Sequence, residues 1–326
     1  MRIVVDAMGG DNAPEVVIEG VELALTAEPA LQVVLVGAKE ATSHVAARYS
    51  EQITTIDTTE VIGMGESPTE AVRNKKDSSI VVGCKLVADG LADGFFSAGS
   101  TGAVMTAATL IVGRVKGIAR PMIATLLPTI TDGYVILGDI GANSDVKPEY
   151  LLQFARMGET YARLVRGVEQ PRIGLLNIGE EESKGNEVTR QAYQLLSQEL
   201  DSFVGNAEGN EILSGDFDVI ITDGFTGNVV LKTIEGLTEN LFKHFMQALA
   251  PALKDQAIAQ VILPELAKLQ KKLSAEEIGG APLLGINGSC FIGHGSSTAK
   301  AIANGILATH SAAEVGLSTI ISEAAK

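Results

Sequence analysis

Short aliphatic runs closed by glycine or polar loops alternate with longer stretches of helical period along most of this chain, and that alternation restricts the fold more than any other feature. Strands are expected at Arg2–Asp6, Leu31–Val36, Ile53–Ile56, Gly94–Ser97, Arg172–Leu176 and Val219–Thr222. Helices are expected at Pro14–Ala27, Lys39–Tyr49, Ser78–Ala88, Thr101–Val112, Pro148–Arg166, Glu187–Leu200 and Asn228 to about Ala250. Leu31–Val36 is apolar throughout, as a strand covered on both faces must be. Strands and helices in alternation predict an α/β class, a three-layer α/β/α architecture with a mostly parallel sheet. Met122–Leu127 and Tyr134–Leu137 are close enough to form a hairpin and add an antiparallel portion. No repeat or low-complexity linker divides the chain, so residues 1–326 are expected to form one α/β/α domain.

Charge and cysteine usage narrow the partners. The chain carries 40 acidic against 25 basic residues, a net charge of -15. Nucleic-acid binding needs a basic footprint and is not expected. Cys84 and Cys290 sit apart among small or apolar residues, with no CxxC spacing; a reduced, cytosolic protein is the expectation. The N-terminus meets a charge at Asp6, without the apolar run of a signal peptide. Residues 240–275 form a distinct helical element whose segment Pro251–Leu273 is amphipathic, with Ile258, Val261, Ile262 and Leu263 followed by Lys268, Lys271 and Lys272. It reads either as a helix pair packed on the body or another subunit, or as a surface for a membrane or an acidic partner.

Six polar, glycine-rich loops fall at the carboxyl ends of the expected strands or at helix starts: 6–11, 97–102, 138–145, 177–186, 222–228 and 294–298. In a parallel sheet those ends share one rim, where ligands bind. Several loops run through Ser, Thr or Asn into helices, whose first N–H groups favour anions. Neither a dinucleotide G-x-G-x-x-G nor a Walker A loop occurs, nor a G-x-S-x-G elbow. His44, His244, His294 and His310 show no metal-ligand spacing, so neither metal nor cofactor is expected. A phosphate-like ligand held by amides and a few cations remains.

The strings DAMGGDNAPE, SAGSTGA, GDIGANSDVKPE, GLLNIGEEESKGNE, TDGFTGNVVLKT, GGAPLLG and HGSS, in order from Met1 to at least Ala303, resemble the PlsX family of phosphate acyltransferases. That resemblance implies a fold like isocitrate and isopropylmalate dehydrogenases and phosphotransacetylases. It implies reversible transfer of a long-chain acyl group from acyl carrier protein to inorganic phosphate, giving acyl phosphate. It further implies a homodimer, cytoplasmic and peripheral at the membrane, that supplies a membrane-bound glycerol-3-phosphate acyltransferase. Two positions depart from the pattern: Ser100 replaces a common Asn and Ile292 a frequent Lys.

Phosphate dianion attacks a thioester without an activated serine, so the chemistry asks for positioning and for donors to an oxyanion. Lys184, in its glycine-flanked loop and on the family motif, is the first candidate catalytic cation. Asn228 is a candidate neutral donor, and His294 a candidate acid for the departing thiolate. Asp6, Gly9, Gly10, Ser100, Thr101, Asn143, Asp223, Thr226 and Ser296 are candidate phosphate or substrate contacts, with the aspartates expected to orient donors because a carboxylate repels phosphate. Lys268, Lys271 and Lys272 form the densest basic patch and are the candidate docking site for the acidic carrier. Competing readings are a phosphotransacetylase acting on acetyl-CoA, a dehydrogenase of the same fold, and a non-catalytic membrane-associated scaffold.

Overall fold

A computed structural model of the chain describes residues 1–273 and 279–324. The first part comprises β1 (Arg2–Asp6), α1 (Glu15–Ala27), β2 (Gln32–Gly37), α2 (Lys39–Arg48), β3 (Ile53–Asp57), α3 (Pro68–Asn74), α4 (Ser79–Ala88), β4 (Gly94–Ser97) and α5 (Thr101–Ala107). A π-helical turn extends α5 to Val112. Then follow β5 (Met122–Pro128), β6 (Tyr134–Gly138), α6 (Pro148–Leu164), β7 (Ile173–Asn177), α7 (Glu187–Glu199), β8 (Phe203–Glu208) and β9 (Val219–Ile221). The last part holds α8 (Gly224–Leu249), α9 (Gln256–Leu273), β10 (Ala281–Leu284), β11 (Ser289–Ile292), α10 (Ala299–Glu314) and α11 (Leu317–Ala324).

The eleven strands pair in the order β3-β2-β1-β4-β11-β10-β5-β6-β9-β7-β8. From β3 to β11 every pair is parallel. β10 is antiparallel to both β11 and β5, and β5 is antiparallel to β6. The set β6, β9, β7 and β8 is parallel again. Three successive reversals leave this second set running opposite to the first. The expected Met122–Leu137 hairpin is present, but β10 joins it and turns half the sheet over. The loops after β1, β4 and β11 therefore lie on one edge, and those after β6, β9 and β7 on the opposite edge. The single rim expected from sequence is corrected to two.

Helices cover both faces, as the apolar runs require. Val17 and Val21 of α1, Ile302 and Ile306 of α10 and Phe154 of α6 fill one layer; Ile80 and Cys84 of α4 and Val104 of α5 help fill the other. α1 and α10 approach closely because Gly20 lies at their contact: a Cβ there would stand 2.6 Å from Ile302 Cγ2 and 2.8 Å from the Ala299 carbonyl oxygen.

Helix α8 starts four residues before the expected Asn228, because Asp223 caps it by accepting from the Thr226 amide. Only Gly224 and Gly227 of its 26 residues are buried, and none of α9's 18. The helical element of residues 240–275 is thus an exposed arm; residues 274 and 275 lie outside those described. α8 leaves the second edge, and α9 returns to the first, where Lys272 pairs with Asp132 in the β5–β6 turn. Among the described residues no helix is long and apolar enough to cross a membrane.

Gly20→Ala should destabilise the chain by roughly 1–3 kcal/mol through overpacking. A lower urea midpoint at unchanged slope would register it; an unchanged midpoint would place α1 and α10 further apart.

Candidate functional site

On the first edge three loops are tied together. Asp6 is 1% exposed. Its carboxylate accepts from Ser97 Oγ at 2.6 Å and from the Met8 amide at 3.0 Å. Ser97 Oγ in turn accepts from the Gly99 amide at 3.0 Å. Gly9 must lack a side chain, since a Cβ would meet Asp6 Oδ2 at 2.6 Å and the Gly99 amide nitrogen at 2.7 Å. Gly10 adopts φ 115°, a conformation open to glycine, and the next amide, Asp11, donates to the Gly295 carbonyl at 2.7 Å. Asp6 therefore shapes the loops from behind and offers no oxygen to a ligand. Ser100 is also buried, its Oγ capping α5. Thr101, His294 and Ser296 are exposed on this edge. His294 Nδ1 accepts from the Ser296 amide at 3.2 Å, which assigns the neutral ring's proton to Nε2.

The second edge is built around Asp139, which is fully buried. Its Oδ1 accepts from the amides of Ile123, Gly141 and Ala142, and its Oδ2 from the amide and side-chain Nδ2 of Asn143 at 2.7 and 2.9 Å. Asn143 gives its other Nδ2 hydrogen to the Pro121 carbonyl at 2.8 Å. Both amide hydrogens are thus spent, which corrects the expectation that Asn143 donates to a phosphate. Asp223 accepts from the Thr226 amide at 2.8 Å and from Thr226 Oγ1 at 2.7 Å; this pair caps α8, and the Thr226 hydroxyl has no proton left for a ligand. Asn228 is exposed and donates one Nδ2 hydrogen to the Ile140 carbonyl at 3.0 Å, keeping the second available. Lys184 is exposed as well, 3.8 Å from Glu181 in a solvent-screened pair worth little. In the same region carboxylate oxygens of Glu180, Glu208 and Glu211 come within 4.8 Å of one another, the described group most able to hold a cation.

The structure thus brings Gly9, Gly10, Ser100, Thr101, His294 and Ser296 together, and separately Lys184, Asn143, Asp223, Thr226 and Asn228. The nearest strands of the two groups, β11 and β6, are three steps apart in the sheet, about 14 Å at ~4.8 Å per step. The four residues of β11 add roughly 13 Å between opposite edges. The two groups thus lie on opposite edges of the sheet.

The basic patch changes too. Lys268 pairs with Glu265 at 2.7 Å, Lys272 with Asp132, and Lys271 is engaged as well. Sequence reading missed the loop between α5 and β5, where Arg114, Lys116 and Arg120 are all exposed. This loop borders the second edge through the Asn143–Pro121 hydrogen bond. The signal was three cations within a short helix-to-strand connection.

A family model described as fatty acid synthesis protein matches residues 1–319. The phosphate acyltransferase of Bacillus subtilis (strain 168) is 43% identical over 328 aligned residues, 100% of this chain and 98% of that protein. One from Desulfitobacterium hafniense is 47% identical, with 97% and 95% covered. Among solved structures, a phosphotransacetylase from Streptococcus pyogenes superposes with a TM-score of 0.62 at 19% identity, covering 96% of this chain and 94% of that one. A branched-chain phosphotransacylase from Enterococcus faecalis V583 also gives 0.62, at 14% identity with 96% and 99% covered. At such identities the structures establish the shared fold.

Burial raises the Asp6 carboxyl above its ordinary range, against the lowering effect of hydrogen bonds from Ser79, Ser97, Met8 and Gly9. The folded chain then holds this proton at pH values where the unfolded chain has released it. Its contribution is largest in acid and declines as pH rises through the raised value. The stability advantage of the parent over Asp6→Asn, from urea midpoints, should shrink as pH rises above the ordinary carboxylate value of 3.8. An advantage growing with pH would mean that the hydrogen bonds outweigh burial.

Proposed function

The chain belongs to the fatty acid synthesis protein family, and from that premise we propose that it is a phosphate acyltransferase, moving a long-chain acyl group from acyl carrier protein to inorganic phosphate. The observation that carries this reading is identity of 43–47% over nearly the whole chain to proteins of that name. A phosphate oxygen attacks the thioester carbonyl, the carbon–sulfur bond breaks, and the thiolate takes a proton; the products are acyl phosphate and free carrier thiol. The described side chains suit direct attack. Cys84 and Cys290 are buried, and burial drives both thiols upward, Cys290 to about 12, so neither offers a thiolate for an acyl intermediate. Well-oriented reactants gain ~7–11 kcal/mol from positioning, and one oxyanion donor contributes about 3 kcal/mol. Lys184 and the remaining Asn228 hydrogen serve as such donors, and His294 Nε2–H donates a hydrogen bond to the departing sulfur, whose proton comes from the attacking hydrogen phosphate. Thr101, Ser296 and the loop amides around Gly9 and Gly10 receive phosphate, while Asp6, Asp139, Ser100, Asn143, Asp223 and Thr226 hold the loops in shape.

The continuous sheet supports treating residues 1–326 as one catalytic domain, and two copies form the working dimer. The exposed apolar row of α9, including Ile258, Val261 and Leu263, supports peripheral contact of the cytoplasmic enzyme with a membrane, where a glycerol-3-phosphate acyltransferase would take the product; flotation with anionic vesicles checks the contact. The carrier is acidic while this chain is at -15, so docking depends on local cations. Arg114, Lys116 and Arg120, beside the second edge, suit it better than the paired Lys268, Lys271 and Lys272.

Lys184→Ala should lower acyl phosphate formation roughly a hundredfold, the effect of one lost oxyanion donor, with unchanged circular dichroism. Turnover near the parent's would remove Lys184 from the mechanism. Long-chain acyl carrier should be the better donor; a preference for acetyl-CoA would favour a phosphotransacetylase. Reversing charge at Arg114, Lys116 and Arg120 together should raise KM for the acylated carrier at low salt with little change in kcat. A KM that responds instead to Lys271→Glu with Lys272→Glu would return docking to α9.

A further inference from the structure

Where the Lys184 loop leans on the outermost strand, β8, three acids meet. Carboxylate oxygens of Glu180 in the loop, Glu208 at the end of β8 and Glu211 in the turn beyond it lie within 4.8 Å of one another. Like charges this close repel unless something positive stands between them. Among the described residues no lysine or arginine forms an ion pair with any of the three. Lys184, the loop's own cation, faces Glu181 instead, at 3.8 Å.

A buried neighbour separates this group from an ordinary acidic surface. Asn206 is 5% exposed, and its Oδ1 is enclosed without a hydrogen-bond partner. Turning the amide round does not mend this. Its Nδ2 donates to the carbonyls of Glu180 at 3.4 Å and Glu181 at 3.0 Å, and a carbonyl can only accept. The same two bonds hold the amide against the turn that carries Glu180. Asn206 also stands two residues before Glu208 on β8, so both project from one face of the strand. The free oxygen is thereby set beside the three carboxylates. An amide oxygen buried without a partner is costly, and a cation among these acids supplies the partner.

We propose that Glu180, Glu208, Glu211 and Asn206 Oδ1 bind one hard divalent cation, Ca²⁺ or Mg²⁺, which ties the Lys184 loop to the edge of the sheet. All four ligand atoms are oxygens, three of them charged, a set that suits hard ions rather than zinc or copper. Two oxygens bound to one calcium ion at about 2.4 Å stand no more than about 4.8 Å apart, and the three carboxylates lie within that reach. Glu211 is already oriented: one of its oxygens, Oε2, accepts from the Glu208 amide at 2.7 Å, which leaves the other for the ion. Glu180 lies in the same short loop as Lys184, so an ion shared with Glu208 and Glu211 adds a tether to the one that Asn206 makes through the Glu180 and Glu181 carbonyls. Spacing along the sequence conceals the group, because its members come from two segments joined only across β7 and β8.

The site does not depend on the proposed acyl transfer, so the ion is measured directly. The full chain, stripped of metal with a chelator, is titrated calorimetrically with CaCl₂ and separately with MgCl₂ at constant ionic strength. A single ion per chain should bind, and the tighter of the two identifies the occupant. Glu208→Gln with Glu211→Gln should weaken binding by roughly tenfold or more. Glu182→Gln with Glu187→Gln, the same change in charge outside the group, should leave it unaltered. Glu180→Gln, at an exposed side chain, should give the same loss if the first pair fails to fold. No binding of either ion at millimolar concentration would overturn the site. Binding that the first pair leaves intact, or that both pairs lose equally, would overturn it too, as general attraction to an acidic chain. Cleavage of the Lys184–Gly185 bond by a lysine-specific protease reads the tether: the ion should slow it in the parent and not in Glu208→Gln with Glu211→Gln. An ion that binds without slowing cleavage would overturn the tie between loop and sheet.

Discussion

Between β11 and β6, two strands, β10 and β5, reverse chain direction at each step. The position of every polar loop depends on that reversal. Were the sheet parallel throughout, all six loops would open on one rim and a single chain could gather them. The reversal instead assigns three to each edge. It also sends α8 outward from one edge, with the arm it begins returning to the other. Fold, loop placement and the exposed arm are consequences of one change in strand direction.

Electrostatics explains how an acidic chain handles anionic substrates. Asp6, a sequence candidate expected to orient donors, and Asp139 are both buried and occupied as acceptors of loop amides and side-chain donors. Burial raises both above the ordinary carboxylate range against those hydrogen bonds. The negative charge they would carry is turned inward, and the amides they hold fix the curvature of the loops. What faces solvent is sparse and placed: Lys184, one hydrogen of Asn228, His294 Nε2, and the cations of the loop 114–120. In a chain at -15, local placement rather than net charge must bring in phosphate and carrier.

The chemical content of the loops was legible in the sequence because glycine, capping residues and missing nucleotide motifs are local signals. Most strands and helices were legible for the same reason, from Leu31–Val36 to the helix after Pro148. Strand direction was not. β10 and β11 have four residues each, and Pro282 interrupts the first, so neither shows a period that sequence reading can detect. Roles that depend on distant partners were equally hidden. Asn143 reads as a free donor until Pro121, twenty-two positions away, accepts its second hydrogen. Lys272 reads as part of a docking patch until Asp132 meets it from the β5–β6 turn.

The central chemical claim is that a phosphate oxygen attacks the thioester carbonyl directly. Turnover of acylated carrier with phosphate fully labelled with oxygen-18, followed by mass analysis of the acyl phosphate, tests it without any variant. Direct attack requires that the product keep every labelled oxygen, the bridging one included, with one free carrier thiol released per acyl phosphate. A product whose bridging oxygen is unlabelled would show that the acyl group was first released as a carboxylate, and the account of direct transfer would fall.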